Sequence, residues 1–201
     1  MYTKYKKFID QHVSMNVIEW ALFRSKLSIE TYKKGEIIHY AGDVATKLLF
    51  LNHGLARAYT IDENGKDHTW SIFFNDENAS MINLYVVDYD SLINQEKSHI
   101  SIEILEDSEM SSMSYKDMNF LYEHSKKGER FGRLMCEVGY SHLHNIFLTR
   151  QTKSAKYRFE SFMNKTPYLL DLVPQYHIAT LLGITPQYLS RLKQEFASEY
   201  M

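Results

Sequence analysis

The stretch HIATLLGITPQYLSRLKQEF, residues 177–196, predicts two short helices that cross near a glycine. Apolar residues recur at helical spacing on both sides of Gly183, which stands where a tight turn is needed. Thr185 suits the N-cap of the second helix, and Pro186 suits its first turn, where a missing N–H costs nothing. This pattern is typical of a helix-turn-helix.

A helix-turn-helix that binds DNA turns the start of its second helix toward base edges in the major groove. Arg191 can fork onto a guanine and Gln187 can bond an adenine, while neighbouring donors hold phosphates. At the start of the first helix, after Pro174, backbone N–H groups can meet a phosphate. The predicted DNA contacts are Thr185, Pro186, Gln187, Tyr188, Ser190, Arg191 and Lys193, with Tyr176 and His177. A helical hairpin that only closes a core is the alternative interpretation.

The overall charge neither supports nor excludes DNA binding. The 201 residues carry a formal net charge of -2, so any contact with nucleic acid requires a local basic patch. The single cysteine, Cys136, cannot form an internal disulfide, which favours a cytoplasmic protein. No apolar run approaches ~18 residues and no signal peptide is recognisable, so we expect neither a membrane span nor a membrane partner.

Upstream of the helical end, the sequence changes to short strands separated by glycines. In ARAYTIDENGKDHTWSIFF, residues 56–74, two strand-like runs flank Asn64-Gly65, which predicts a β-hairpin. Residues 100–105 alternate with a period of two, which predicts further strands up to about Tyr115. Apolar spacing over the first ~20 residues predicts one or two helices before this β unit.

A long helix is predicted between the β unit and the terminal motif, from Glu129 to about Arg150. Apolar and large side chains recur every three or four residues along it. The stripe fits either the β unit or a second copy of the helix, and we favour a homodimer. The predicted dimer contacts are Phe131, Leu134, Met135, Val138, His142 and Ile146. A shorter helix follows and ends at Thr166-Pro167.

GEIIHYAGD and LLFLNHGLARAY, followed by GITPQYLSRLK, resemble the Crp/Fnr superfamily of bacterial transcription regulators. The resemblance implies an α+β fold: an antiparallel β-roll (cyclic-nucleotide-binding-like jelly roll), a long dimerisation helix and a C-terminal helix-turn-helix domain. The expected boundaries are 1–115 for the N-terminal helices and sensor roll, 116–150 for the linker and dimerisation helix, and 151–201 for DNA binding. Only Ala197 to Met201 follow Phe196, too few residues for the two-stranded wing of many relatives.

The region that holds the phosphate of cyclic AMP in such relatives differs here. It lacks a Gly-Glu pair, and Lys97-Ser98 stands where an Arg-Ser pair is expected. Because lysine copies the bidentate grip of arginine poorly, we do not expect cyclic AMP to bind. Lys97 and Ser98 remain the candidate effector contacts, and the effector is unknown. Tyr85, Tyr89, Trp70 and Phe73 could line a pocket, although aromatic residues at strand spacing more often belong to a core.

No motif for catalysis is recognisable, so we expect a protein that is not an enzyme and predict no catalytic residue. We also expect no cofactor and no metal site, since His142 and His144 point to different helix faces. Cys136 is interpreted as a small buried hydrophobe. The favoured function is a sequence-specific DNA-binding regulator that reads a palindromic operator in double-stranded DNA. The alternative is a module that binds a cyclic nucleotide or another small molecule and has a structural helical tail.

Overall fold

The computed structural model describes residues 2–200 and the side chains of residues 2–198. Two amphipathic helices open the chain, as the apolar spacing predicts, and antiparallel strands and eight further helices follow. The elements are α1 (Thr3–His12), α2 (Val17–Arg24), β1 (Ser28–Tyr32), β2 (Ile37–His39), β3 (Lys47–Ile61), β4 (Asp67–Phe74), α3 (Met81–Leu84), β5 (Tyr85–Val86), α4 (Tyr89–Asn94), β6 (Ser101–Ser114), α5 (Tyr115–His124), α6 (Lys126–Thr152), α7 (Ala155–Lys165), α8 (Leu169–Leu172), α9 (Gln175–Leu182) and α10 (Pro186–Tyr200).

The strands form one antiparallel sheet in the order β1-β6-β3-β4, with β2 on β6 and β5 on β3. The predicted α+β roll with its long helix and C-terminal helices is confirmed. The period-two pattern after residue 100 corresponds to one strand of 14 residues rather than several strands. Register shifts around His53 bend the central strands β3 and β6, which lets the sheet curl into a roll.

Gly54 lies at this bend with a φ of +107°. A Cβ atom there would overlap the Ser108 side chain and approach the Ser108 Cα to 2.7 Å. The bend therefore needs glycine both for its backbone conformation and for the close passage of the neighbouring strand.

The predicted hairpin joins β3 to β4. The Asp62 carboxylate accepts the N–H groups of Asn64 and Lys66, each at 2.9 Å, and Gly65 has a φ of +76°. The turn thus uses the positive φ that Asn-Gly sequences favour.

Three apolar clusters hold the chain together. The first joins the N-terminal helices to α5 and the start of α6, and the second fills the roll. The third is shared between the outer side of the sheet and the C-terminal helices: Leu55, Ile72, Phe74 and Leu105 pack with side chains of α7 to α10. This third cluster, which we call the shared cluster, fixes the C-terminal helices on the roll.

Candidate functional site

The helix-turn-helix is present where the sequence predicts it. Gly183 ends α9 with a φ of +67°, the left-handed conformation that closes a helix. The Thr185 hydroxyl accepts the N–H of Tyr188 at 3.2 Å and so caps α10. Leu189 is fully buried and Leu192 is nearly so, because the underside of α10 packs into the shared cluster. This anchoring leaves the opposite side of α10 toward solvent.

The first turns of α10 present polar side chains to solvent. Thr185, Pro186, Gln187, Ser190 and Arg191 are exposed, whereas Tyr188 and Lys193 are half-buried. The Arg191 side chain is 65% exposed, and its guanidinium lies 4.6 Å from the centre of the Tyr188 ring. Its Nε lies 3.5 Å from the Glu195 carboxylate, an ion pair that solvent screens.

Tyr176 and His177, predicted as phosphate contacts through their backbone N–H groups, lie in the first turn of α9 beside the roll. The Tyr176 hydroxyl donates to the carbonyl of Asp67 on β4 at 3.0 Å. The His177 N–H donates to the carbonyl of Pro174 at 2.9 Å. The Tyr176 hydroxyl and the His177 N–H are thus used within the protein, and the phosphate contact of the Tyr176 N–H stays a prediction.

A polar contact between β4 and α9 completes the attachment. The Thr69 N–H donates to the Thr180 hydroxyl oxygen at 3.1 Å, and the Thr180 hydroxyl lies 3.1 Å from that of Thr69. Both threonines are buried, so these bonds satisfy groups that water does not reach. Two threonines 111 residues apart carry no sequence signal for such a pairing, and our sequence analysis missed them.

Arg57 lies beside this contact and pairs with acidic side chains. Its two terminal nitrogens donate to Asp67 at 2.8 and 2.7 Å, and its Nε donates to Glu103 at 2.9 Å. Burial lowers the pKa of Arg57, but the two carboxylates raise it further than burial lowers it, so the guanidinium keeps its charge. Arg57 therefore forms structural ion pairs within the roll and does not serve to anchor a ligand.

His177 faces this charged group from α9. Burial lowers the pKa of His177, and the positive charge of Arg57 lowers it further. Its Nδ1 is buried without a hydrogen-bond partner in the part of the chain that the structure describes. These surroundings favour the neutral form of the His177 imidazole at the contact between the roll and α9.

The long helix α6 divides the predicted dimer contacts into two groups. Phe131 and Met135 are buried in the protomer's own first cluster, which corrects their assignment to a dimer contact. Leu134 is half-buried against that cluster, and its dimer contact stays a prediction. His142 is half-buried, whereas Val138 and Ile146 are exposed. Further large apolar side chains are exposed in the second half of the helix: Tyr140, Leu143, Phe147 and Leu148.

The fold of this chain is shared with known proteins. Residues 29–125 match the cyclic nucleotide-binding domain family. FixK2 from Bradyrhizobium japonicum superposes with a TM-score of 0.72 at 15% identity, covering 86% of this chain and 85% of that one. The chain has the fold of the Crp/Fnr regulators. No curated protein sequence matches it.

Two further structures share this Crp/Fnr fold. A transcriptional regulator of the Crp/Fnr family from Eubacterium rectale has a TM-score of 0.60 at 18% identity, covering 92% of this chain and 85% of that one. The c-di-GMP-responsive global regulator CLP from Xanthomonas campestris has a TM-score of 0.63 at 12% identity, covering 92% of this chain and 93% of that one.

Of the candidate effector contacts Lys97 and Ser98, the serine lies beside a carboxylate. Lys97 is exposed, while Ser98 is buried and donates its hydroxyl to the Asp88 carboxylate at 2.7 Å. No arginine occurs between residues 75 and 100. A phosphate at Ser98 would therefore lie beside the Asp88 carboxylate instead of a guanidinium.

In the part of the chain that the structure describes, neither a candidate metal centre nor a candidate membrane-spanning helix is found. Residues 2–200 contain no group of three or more His, Cys, Asp or Glu side chains that could hold a metal ion. Over the same residues no helix combines the length and apolar character needed to cross a bilayer. Cys136 is exposed rather than buried, which corrects the sequence interpretation.

Proposed function

We propose that the chain is a homodimeric, sequence-specific DNA-binding transcriptional regulator of Crp/Fnr type. The observation that carries the proposal is the exposed polar start of α10 on a fully buried apolar underside, within a fold shared with regulators. A helix anchored in this way can enter a major groove without rearranging its own core.

The exposed side chains suit direct reading of bases. Arg191 offers a planar fork for the O6 and N7 atoms of guanine, and Gln187 offers an amide for adenine. Thr185, Ser190 and the half-buried Tyr188 and Lys193 lie beside them and hold the backbone. Since the net charge of the chain is -2, contact with DNA depends on these local groups.

The dimer is proposed from the second half of α6. Four large apolar side chains, Val138, Leu143, Phe147 and Leu148, are at least 42% exposed there. Pairing with the same helix of a second copy would cover them and place two α10 helices on one side, for half-sites about 34 Å apart.

Arg191→Ala is expected to lower affinity for the selected operator by about 1–3 kcal/mol and to relax one base position. The measurement is selection from a random DNA pool, followed by mobility shift at two salt concentrations. Arg133→Ala is the matched control, because Arg133 also pairs with a glutamate four residues later on an exposed helix face, away from α10. If no DNA sequence is enriched at low salt, the alternative is favoured, in which the chain binds a small molecule and its C-terminal helices are only structural.

Phe147→Glu is expected to weaken self-association by roughly 100-fold, since a carboxylate buried in an apolar contact lacks a partner. Sedimentation equilibrium measures the dissociation constant. Val17→Glu is the control, because Val17 is 85% exposed and belongs to α2 rather than to the second half of α6. An unchanged dimer would show that Phe147 lies outside the interface.

A further inference from the structure

A deep cleft runs between α6 and the sensor roll. It has a volume of about 470 Å³. Its inner end is formed by Met113, Met118 and Phe131, each of which is at most 5% exposed. Its outer end is formed by the half-exposed Trp70 and by Tyr140 of α6. The cleft therefore reaches from solvent into the first apolar cluster.

The inner end is accessible to a small molecule and not to a second copy of α6. A helix with its side chains is about 10 Å across, so a partner helix can cover the mouth of the cleft but cannot enter among buried side chains. A flat ring system is thin enough to enter. The dimer proposed above therefore leaves the inner volume for another occupant.

The lining is apolar and its few charges disfavour an anion. Tyr85, Tyr89, Trp70 and Phe73, which the sequence left open as pocket residues, all line it. The Tyr89 hydroxyl lies 3.2 Å from the Cys136 thiol, and burial raises the pKa of Tyr89, so this hydroxyl is a neutral hydrogen-bonding group. The charged side chains of the lining are Asp88, Asp90 and Arg150.

The two acids lie at the end of the cleft near Tyr89, whereas Arg150 is distant from it. Arg150 follows Cys136 by 14 residues along α6, a separation of about 21 Å at the rise of a helix. An anion beside Tyr89 would thus face Asp88 and Asp90 without a nearby cation. This is the opposite of what a cyclic phosphate requires.

We propose that this cleft is the effector site and that it binds an uncharged, apolar aromatic molecule instead of an anionic nucleotide. The regulatory part of this inference rests on the proposed function. Met135, Gly139 and Leu143 of α6 line the cleft, and Arg150 at the end of the same helix donates to the carbonyl of Leu181 in α9 at 3.2 Å. An occupant that moves α6 therefore acts on the helix-turn-helix through a direct contact, and its effect is limited to its differential affinity for the two arrangements.

The test compares two dyes with the same ring system. N-phenyl-1-naphthylamine is uncharged, and 8-anilino-1-naphthalenesulfonate carries one sulfonate. Fluorescence titration of the dimeric full chain should show saturable binding of the uncharged dye at one per protomer, and affinity for the sulfonate should be at least about tenfold lower because of the acids. Equal affinities, or displacement of the uncharged dye by cyclic AMP, would overturn the inference.

Gly139→Leu tests the location. A Cβ atom at Gly139 meets only the Met81 methyl group within 4 Å, at 3.7 Å, so leucine fills the cleft without a backbone clash. We expect binding of the uncharged dye to fall at least about tenfold, since the added side chain occupies the ligand's volume. Ser141→Leu is the matched control, because Ser141 is exposed on the same helix and does not line the cleft.

Unchanged dye binding in Gly139→Leu, or dye binding only to a dissociated monomer, would place the dye elsewhere and overturn the inference. The two proposals fail separately. Loss of operator selection with intact dye binding removes the regulatory role alone, and intact operator selection without dye binding removes the effector site alone.

Discussion

Leu189→Ala is expected to destabilise the protein by about 3 kcal/mol, since removing a fully buried leucine side chain leaves a cavity as well as losing apolar contact. Leu189 lies in the shared cluster under α10, together with Phe159 and Ile178. Urea unfolding followed by circular dichroism measures the change in the free energy of unfolding. Operator binding should fall as well, because α10 loses its support.

The control for this prediction is Ser190→Ala. Ser190 is the next residue on α10 and is exposed, so its truncation should change the free energy of unfolding by less than about 0.5 kcal/mol. A loss below about 1 kcal/mol in Leu189→Ala would contradict the burial of the α10 underside in the shared cluster, because removing a fully buried leucine side chain typically costs about 2–5 kcal/mol.

Arg57→Ala is expected to cost about 2–4 kcal/mol of stability. The Arg57 side chain is 5% exposed, and its loss leaves the Asp67 and Glu103 carboxylates unpaired. Removing one partner of a buried pair typically costs about 3–5 kcal/mol, and the partial exposure of the two acids, 21% and 28%, reduces this. Arg57→Lys keeps the positive charge but loses the bidentate guanidinium, so its loss of stability should be smaller than that of Arg57→Ala.

A second measurement separates electrostatics from packing in Arg57→Ala. The positive charge of Arg57 lowers the pKa of His177, so its removal should raise that pKa. A pH titration of the His177 ring by NMR reports the change directly. Arg57→Lys should leave the pKa of His177 close to that of the unaltered chain. An unchanged value in Arg57→Ala would show that α9 does not rest beside Arg57 in solution.

The local structures could be predicted from sequence because their signals are short-range. Asn64-Gly65 marks the hairpin, and Gly183 with Thr185-Pro186 marks the turn and cap of the helix-turn-helix, since each depends on the backbone preference of a few residues. The long helix was predicted as Glu129 to about Arg150, and the structure has it from Lys126 to Thr152.

The partner of each helix face could not be predicted, because periodicity shows that a stripe is apolar without showing what covers it. Phe131 and Val138 belong to the same stripe by spacing, yet one packs in the protomer's core and the other is exposed. The exposure of Cys136 and the attachment of Tyr176 and Thr180 to β4 likewise depend on contacts between residues distant in sequence.

The shared cluster also limits how α9 and α10 can change position on the roll. Separation of α9 from the roll would expose Leu55, Ile72 and Phe74 to solvent, because the C-terminal helices bury these side chains. If α9 instead slid along the strands, these side chains would stay covered and the hydrogen bonds of the threonines would change partners. Such a movement is a shear motion of small steps. If the proposed dimer forms, the distance between its two α10 helices is therefore expected to change in small steps, without release of either helix from the roll.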